Sequence, residues 1–455
     1  MTIDRRRFLV SGSAAAATLS PAGAAPSPNA MLPSALGVDG AQFGLRPGST
    51  EDQSRTFQRA IDETARSRTP LAIAPGSYRV GNLRLPANAQ LVGVRGATQL
   101  LLSDSASLVS TIGTEQVTLS GLVLDGQRRR LPERRGLLHI ENSRRIKIAD
   151  CVIRGAGGTA ISCTAVGGEI VDTHLTDSAD VAIHSFDARA LLIARNTITG
   201  AGNNGIQVWR GNPGDDGTIV IDNRIEAIDN RLGGSGQYGN AINVFRAANV
   251  IVRGNRIRNC AFSAVRGNAA SNFQIAGNSI SDVREVAIYA EFGFEGALVA
   301  NNTIDGAAIG VSITNFNQGG RLASVTGNII RNLLPKRPAG TDPGDGAGIG
   351  IAVEADTAVA GNVIENAPTA GMIIGWGHHL RDVAATGNVV RQADIGIGVS
   401  VSTGAGAALI ANNMIADVKR GAVIGMDRKR IITGDLSRGG AERYANLTVS
   451  GNRVR

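Results

Sequence analysis

Residues 254–265 read GNRIRNCAFSAV, and nearly the same phrase returns as GNSISDVREVAI at 277–288 and GNVIENAPTAGMI at 361–373. The asparagine after each glycine belongs to a series, Asn196, Asn223, Asn255, Asn278, Asn302, Asn328, Asn362, Asn388, Asn413 and Asn452, whose members lie 23 to 39 residues apart. Self-similarity at that period marks a repeat architecture. Each repeat holds two short apolar alternations, Asn-x-Ile and then Ile-x-Val, around a glycine-rich turn, and period-2 alternation in runs this short indicates strands. At roughly 3.3 Å per strand residue, about 23 residues make three short strands and three turns. That is one coil of a parallel β-helix, and the period predicts about 12 such coils. The leucine template of leucine-rich repeats is missing, and a propeller blade needs roughly 40 residues.

The repeated asparagine is read as scaffold rather than chemistry. Stacked coils place like residues about 4.8 Å apart, where an inward amide bonds its copies above and below together with free turn backbone. Cys151 in DCVI and Thr173 in DTHL hold the same position in two earlier coils. They carry the stack towards the N-terminus without the amide.

The chain has 455 residues, 59 of them glycine and only 4% aromatic, a composition suited to a solenoid whose core grows coil by coil. Residues 1–24 have a basic start, a short apolar stretch and small residues at Ala22-Gly23-Ala24, the pattern of a cleavable export signal. Arg5-Arg6-x-Phe8-Leu9 resembles the twin-arginine signal, which implies export of the folded chain by the twin-arginine translocation machinery to the periplasm or beyond. Residues 25–100 are expected to form an N-terminal cap and the first coils, and 101–455 the β-helix repeats. No other stretch approaches the roughly 20 apolar residues of a membrane span. Cys151, Cys163 and Cys260 are odd in number and lack metal-like spacing, so buried thiols are expected. Residues 1–24 carry three arginines and one aspartate, so without them the formal charge falls from +8 to +6. That excess suits an acidic polymer such as a uronate polysaccharide. Nucleic acid is disfavoured, because no dense basic stripe is interleaved with aromatics.

Between signal and coils, Phe57, Ile61 and Ala65 fall on one helical face that Asp52 or Ser54 is placed to cap. A solenoid needs its first coil covered. A helix followed by Ala74-Pro75-Gly76-x-Tyr78-x-Val80 resembles the N-terminal cap of pectate-lyase-like right-handed β-helix proteins. With the twin-arginine start, the whole chain is similar to an uncharacterised family of twin-arginine-exported repetitive proteins. The resemblance implies an all-β, single-domain, single-stranded right-handed parallel β-helix, a handedness that also matches the general crossover preference. At the other end, 427–446 is expected to fold back over the last coil, unless a partner subunit covers it.

Alternation turns the apolar residues of each Ile-x-Val unit inward and the intervening residue outward. Aligned on Ile161, Ile183, Ile206, Ile242, Val265, Ile288 and Val311, the first outward column reads Ser162, His184, Gln207, Asn243, Arg266, Tyr289, Ser312. The next reads Thr164, Phe186, Trp209, Phe245, Asn268, Glu291, Thr314. Three rings on adjacent coils, about 5 Å apart, make either a packed ladder or a platform for sugar faces. The substrate-binding candidates are therefore Phe186, Gln207, Trp209, Asn243, Phe245, Asn268 and Glu291. Long turns at 210–217 and 229–240 wall this region, and a third, 332–348, is expected farther along the helix.

In the pectate-lyase-like superfamily the substrate cleft lies along this sheet, and polygalacturonase-like hydrolases place aspartates just before such strands and a Gly-His-Gly further on. Here Asn204 and Asn240 stand at the comparable places and no Gly-His-Gly exists. A neutral amide cannot replace a carboxylate in an acid and base pair, which leaves Asp180 and Glu285 as residual candidates for hydrolysis. A polysaccharide lyase needs a base, a group that stabilises enolate-like charge, and an acid. Arg266 as carboxylate clamp or base, Tyr289 as proton donor or base and His184 as a second acid or base are the catalytic candidates. No cofactor is required; Ca²⁺ is considered at Asp215 and Asp216 with Glu291 or Glu295. His378 and His379 lack a spaced third ligand and read as a surface turn. The expected function is an exported carbohydrate-interacting protein, acting on an acidic polymer by β-elimination. Hydrolysis, epimerisation and a non-catalytic binding or envelope-associated solenoid are the alternatives.

Overall fold

The computed structural model describes residues 37–455 apart from 235 and 343, so the export signal expected at 1–24 lies outside the described residues. Two-residue to fourteen-residue strands wind into a parallel β-solenoid of about 14 turns. One face is a sheet of sixteen strands, and the other two faces run together into a second sheet. A typical coil passes from Leu192–Ala194 on the first face through Thr197–Ala201 on the second to Asn204–Asp215 on the third. There are more turns than the period suggested, because the coils before Cys151 carry no member of the repeated series.

The Gly-Asn pair has two separate physical causes. The residue before each asparagine is left-handed, as at Gly254, Gly277 and Gly327, where φ lies between +64° and +67°. Asp222, Asn301 and Asn412 take the same conformation at +55° to +56°, the tolerance expected of glycine and the short polar residues. The asparagine then points inward. In each coil from Asn196 to Asn413, the backbone N–H and Nδ2 both donate to Oδ1 of the asparagine in the next coil. Asn278, for example, reaches Asn302 Oδ1 at 2.9 Å from each nitrogen. Nδ2 also donates to a carbonyl of the preceding coil, as from Asn302 to Ile275 at 3.1 Å. The ladder is continuous from Asn196 to Asn452, and Thr173 and Cys151 prolong it through the Asn196 Oδ1 and Thr173 Oγ1 acceptors.

Between the faces, inward apolar columns fill the core. One runs from Ile148 through Ile193 and Val252 to Val359 and Ile410, all fully buried and in register. The three cysteines are buried free thiols, Cys151 pushed up to about 11 and Cys163 and Cys260 to about 12 by burial.

Helix Ser54–Arg66 closes the first coil, burying Phe57, Ile61 and Ala65, with Phe57 edge-on to Tyr78 at 5.3 Å. Asp52 accepts the Ser54 N–H at 2.8 Å, while Ser54 Oγ accepts from Gly81 N at 2.9 Å. At the other end Arg430–Asp435 folds back antiparallel on Met414–Asp427 and Leu436 enters the core. The Asp435 carboxylate accepts the N–H groups of Ala422 and Val423 at 2.9 and 3.1 Å.

Replacing Asn302 by alanine removes the acceptor of two buried donors and the amide that bonds the Ile275 carbonyl. The change is expected to destabilise by about 2–4 kcal/mol, read as a lowered urea midpoint. Alanine at exposed Asn317 should cost less than about 1 kcal/mol.

Candidate functional site

Strand pairing on the third face puts the two outward columns in the register expected from the sequence. His184, Gln207, Asn243, Arg266 and Tyr289 are successive partners, and so are Phe186, Trp209, Phe245, Asn268 and Glu291. One coil earlier His139 and Glu141 precede Ser162 and Thr164. The face divides into an aromatic half and a charged half.

In the aromatic half the rings do not form a flat ladder at rung spacing. Trp209 meets Phe245 at 6.0 Å with the planes 65° apart. His184 joins the cluster, edge-on to Trp209 at 5.6 Å and stacked on Phe186 at 6.2 Å. Quadrupoles explain this, since edge-to-face contacts are preferred over a face-to-face sandwich. Gln207 and Asn243 are buried beneath the rings: Gln207 Oε1 is 2.7 Å from His184 Nδ1, and Asn243 Oδ1 accepts the Trp209 indole N–H at 2.7 Å. Both amides therefore hold rings in place. Burial, only partly offset by the Gln207 hydrogen bond and Asp180, keeps the His184 pKa below 6.5, so the ring is neutral at pH 7. Arg246 lies over Phe245 at 4.7 Å.

In the charged half Arg266 is 8% exposed and forks onto Glu291 at 2.7 and 2.9 Å. Its remaining terminal nitrogen reaches Glu285 at 3.2 Å. Burial works against its charge, but Glu291 and Glu285 outweigh it and hold the guanidinium above its ordinary pKa. An arginine so held does not act as a base, and three of its five N–H groups are engaged by the two glutamates. Asn268 adds a bond to Glu291 at 3.2 Å, so this pair too serves Arg266 before any ligand. The Arg266 guanidinium sits 4.8 Å over the Tyr289 ring. Burial, then Glu291, lifts the phenol to about 12 despite Arg266 and Arg337. Tyr289 is thus a proton donor at neutral pH, not a base.

The three catalytic candidates are not brought together. His184 and Tyr289 are four rungs apart, about 19 Å at strand spacing, so they cannot serve one bond as acid and base. Asp180 and Glu285 are separated by the same four rungs, too far for either glycosidase geometry, which spans roughly 5–9.5 Å. The acids considered for calcium are dispersed as well: Asp215 accepts from Asn249, Glu291 holds Arg266, and Glu295 holds Arg321. No cluster of three or more metal-ligating side chains occurs among the described residues.

Two features escaped the sequence reading. The 332–348 turn does not stop at the far end of the face: it returns Arg337 to Glu285 at 3.3 Å, with Asp345 at 3.2 Å, closing over the charged half. Segment 126–135, with five arginines, packs against the coil of Ser162 through Leu131 at Gly158 and an Arg130–Gly157 bridge. Its arginines were visible in the sequence; its position was not.

Glu285 bonds Arg266, Arg337 and Ser263 together. Glu285→Ala leaves two buried arginines facing each other and should cost about 3–5 kcal/mol. Hydrogen exchange should also speed up in 332–348, which a denaturant series and exchange mass spectrometry would show.

A family model described as a right-handed β-helix region matches residues 214–390. No curated protein matches the chain. Among solved structures, the pre-mature gene product 12 of bacteriophage phi29 is 14% identical with a TM-score of 0.52, over 86% of this chain and 69% of that one. The N-terminal fragment of the same phage protein gives 13% identity and 0.50, over 86% and 88%. The A-module of the Azotobacter vinelandii mannuronan C-5 epimerase AlgE6 gives 15% and 0.49, over 92% and 99%. Identities this low speak to fold alone, and the fold of this chain is a right-handed parallel β-helix.

Proposed function

We propose that the protein is an exported carbohydrate-interacting β-helix that binds an acidic polysaccharide along its third face. The observation that carries this reading is the braced cluster of His184, Phe186, Trp209 and Phe245, in a chain with 4% aromatics. The rings are only partly buried, and His184 and Trp209 are fixed by amides beneath them. Preorganised apolar faces with a few oriented polar groups are what a sugar site requires. The acidic preference rests on Arg130, Arg134 and Arg135 of segment 126–135, with Arg134 acting on His184, because Arg128 and Arg129 pair with Asp177 and Asp104 and the charged half is internally neutralised.

A second reading, β-elimination, is favoured by one observation: a neutral Tyr289 hydroxyl next to a cation, in place to protonate a leaving oxygen. Within reach of Tyr289, Glu285 or Glu291 would have to leave its arginine to serve as base. Appearance of the ultraviolet-absorbing unsaturated product from a uronate polymer, lost in Tyr289→Phe, would establish turnover; its absence across a uronate panel leaves binding as the function.

Trp209→Ala should weaken binding of uronate polymers at least tenfold, about 1.4 kcal/mol, with an unchanged circular dichroism spectrum. Calorimetry on Trp376→Phe provides the control, since the chain has two tryptophans. Equal affinity for neutral glucans would remove the acidic preference, and no effect of Trp209→Ala would remove the site. Export belongs to the same proposal: lysines in place of Arg5 and Arg6 should leave the chain in the cytoplasmic fraction.

A further inference from the structure

At the N-terminal end of the same face, three side chains that the binding reading does not use form one hydrogen-bonded chain. Ser162 Oγ is 2.6 Å from His139 Nδ1, and His139 Nε2 is 2.7 Å from Glu141 Oε1. Their arrangement follows from the coil geometry. His139 and Ser162 are partners on adjacent rungs, and Glu141 lies two residues along the His139 strand, on the same outward side.

Proton positions follow from the donors available. An ionised carboxylate only accepts, so the Nε2 of His139 carries the hydrogen and Nδ1 presents a lone pair. Ser162 then donates its hydroxyl hydrogen to Nδ1. The Gly136 N–H donates to Ser162 Oγ at 3.1 Å and holds the hydroxyl beside the imidazole. A nucleophile bonded to a base that is itself oriented by a third group is the arrangement that activates serine, and it is recognised by geometry rather than by order in the chain. His184, by contrast, has an amide as its partner and no hydroxyl on the other nitrogen. A serine in a merely structural ladder needs no imidazole oriented by a carboxylate.

We propose that Ser162, His139 and Glu141 form an ester-hydrolysing triad acting on short acyl esters carried by a polysaccharide. In the first half-reaction Ser162 Oγ bonds to the acyl carbonyl carbon and its proton passes to His139 Nδ1. The bond from that carbon to the sugar oxygen breaks, and the imidazolium returns the proton to the departing sugar hydroxyl. Water then attacks the acyl-serine and gives a proton to His139. The carboxylic acid leaves and Ser162 recovers its hydrogen. Ser162 and His139 are each 4% exposed, which restricts the acyl group to a small one such as acetyl. The polysaccharide part of the claim rests on the binding reading: Phe186 is one rung beyond Ser162 and Trp209 two, so a sugar on the rings would bring the ester of its neighbour to the serine. The acyl-transfer part stands without it.

The full-length mature protein incubated with methanesulfonyl fluoride, a reagent small enough for a site of this exposure, should lose fluoride and gain the mass of one methanesulfonyl group, mapped by peptide sequencing to Ser162. It should also hydrolyse p-nitrophenyl acetate. Ser162→Ala and His139→Ala should lose both properties. Glu141→Gln should slow turnover roughly 10³–10⁴-fold at an unchanged melting temperature, as expected when the imidazole tautomer is no longer fixed. Absence of an adduct on Ser162 in the wild-type chain overturns the triad, and that result does not depend on any variant folding. An adduct on Ser162 with no acetate released from O-acetylated polysaccharides, while Trp209→Ala still weakens polymer binding, retains the acyl-transfer chemistry and overturns the polysaccharide ester as its substrate. Loss of the Trp209 effect alone overturns the binding reading and leaves the triad standing.

Discussion

The amide ladder is the constraint on which the rest of the molecule depends. Each asparagine spends its backbone N–H, its side-chain N–H groups and its side-chain oxygen on neighbouring coils, so every coil from Asn196 onward is fixed to the next at one point of its circumference. A shift of one residue would orphan three buried groups at once, each costing about 1–3 kcal/mol. It would also turn every inward apolar residue out. Register fixed at the ladder is therefore register fixed on the opposite face, where the outward columns lie.

Because register is fixed, chemistry on this fold is assembled one rung at a time. Residues on adjacent rungs touch, as Arg266 and Tyr289 do, or His139 and Ser162. Outward residues four rungs apart on the third face, as His184 and Tyr289 are, do not. The face thus reads as successive zones: a Ser-His-Glu chain, a ring cluster, then a neutralised ion-pair network. Each zone has its own electrostatics. The buried network around Glu285 is internally paired and holds a loop down, while segment 126–135 at the other end carries five arginines, of which Arg128 and Arg129 pair with Asp177 and Asp104.

Much of this was legible in the chain. The spacing of the asparagines and the Ile-x-Val units predicts the observed pairing from Ile161 to Val311 residue for residue, since in parallel rungs like positions stack on like. The same spacing extended one coil back, through GLLHIE at 136–141, reaches His139 and Glu141. It also shows that His184 and Tyr289 are too far apart for a shared role. What the pattern does not encode is the path of irregular segments. Arg337 reaches Glu285 because a seventeen-residue turn folds back across its own coils, and nothing periodic specifies that route. Side-chain rotation is equally hidden: two columns of alternating polar and aromatic residues predict stacking at rung distance, whereas the quadrupoles of His184, Trp209 and Phe245 turn the rings edge to face.

The three buried thiols give the solenoid an internal clock. In a structure where each coil contacts only its neighbours, opening is local and its rate varies along the axis. Cys151 stands in the ladder itself, Cys163 behind the Ser-His-Glu chain and Cys260 behind the coil of Arg266. None is accessible while its coil is closed. The order in which a thiol reagent modifies them would therefore trace where the helix comes apart first, without any label being added to the protein.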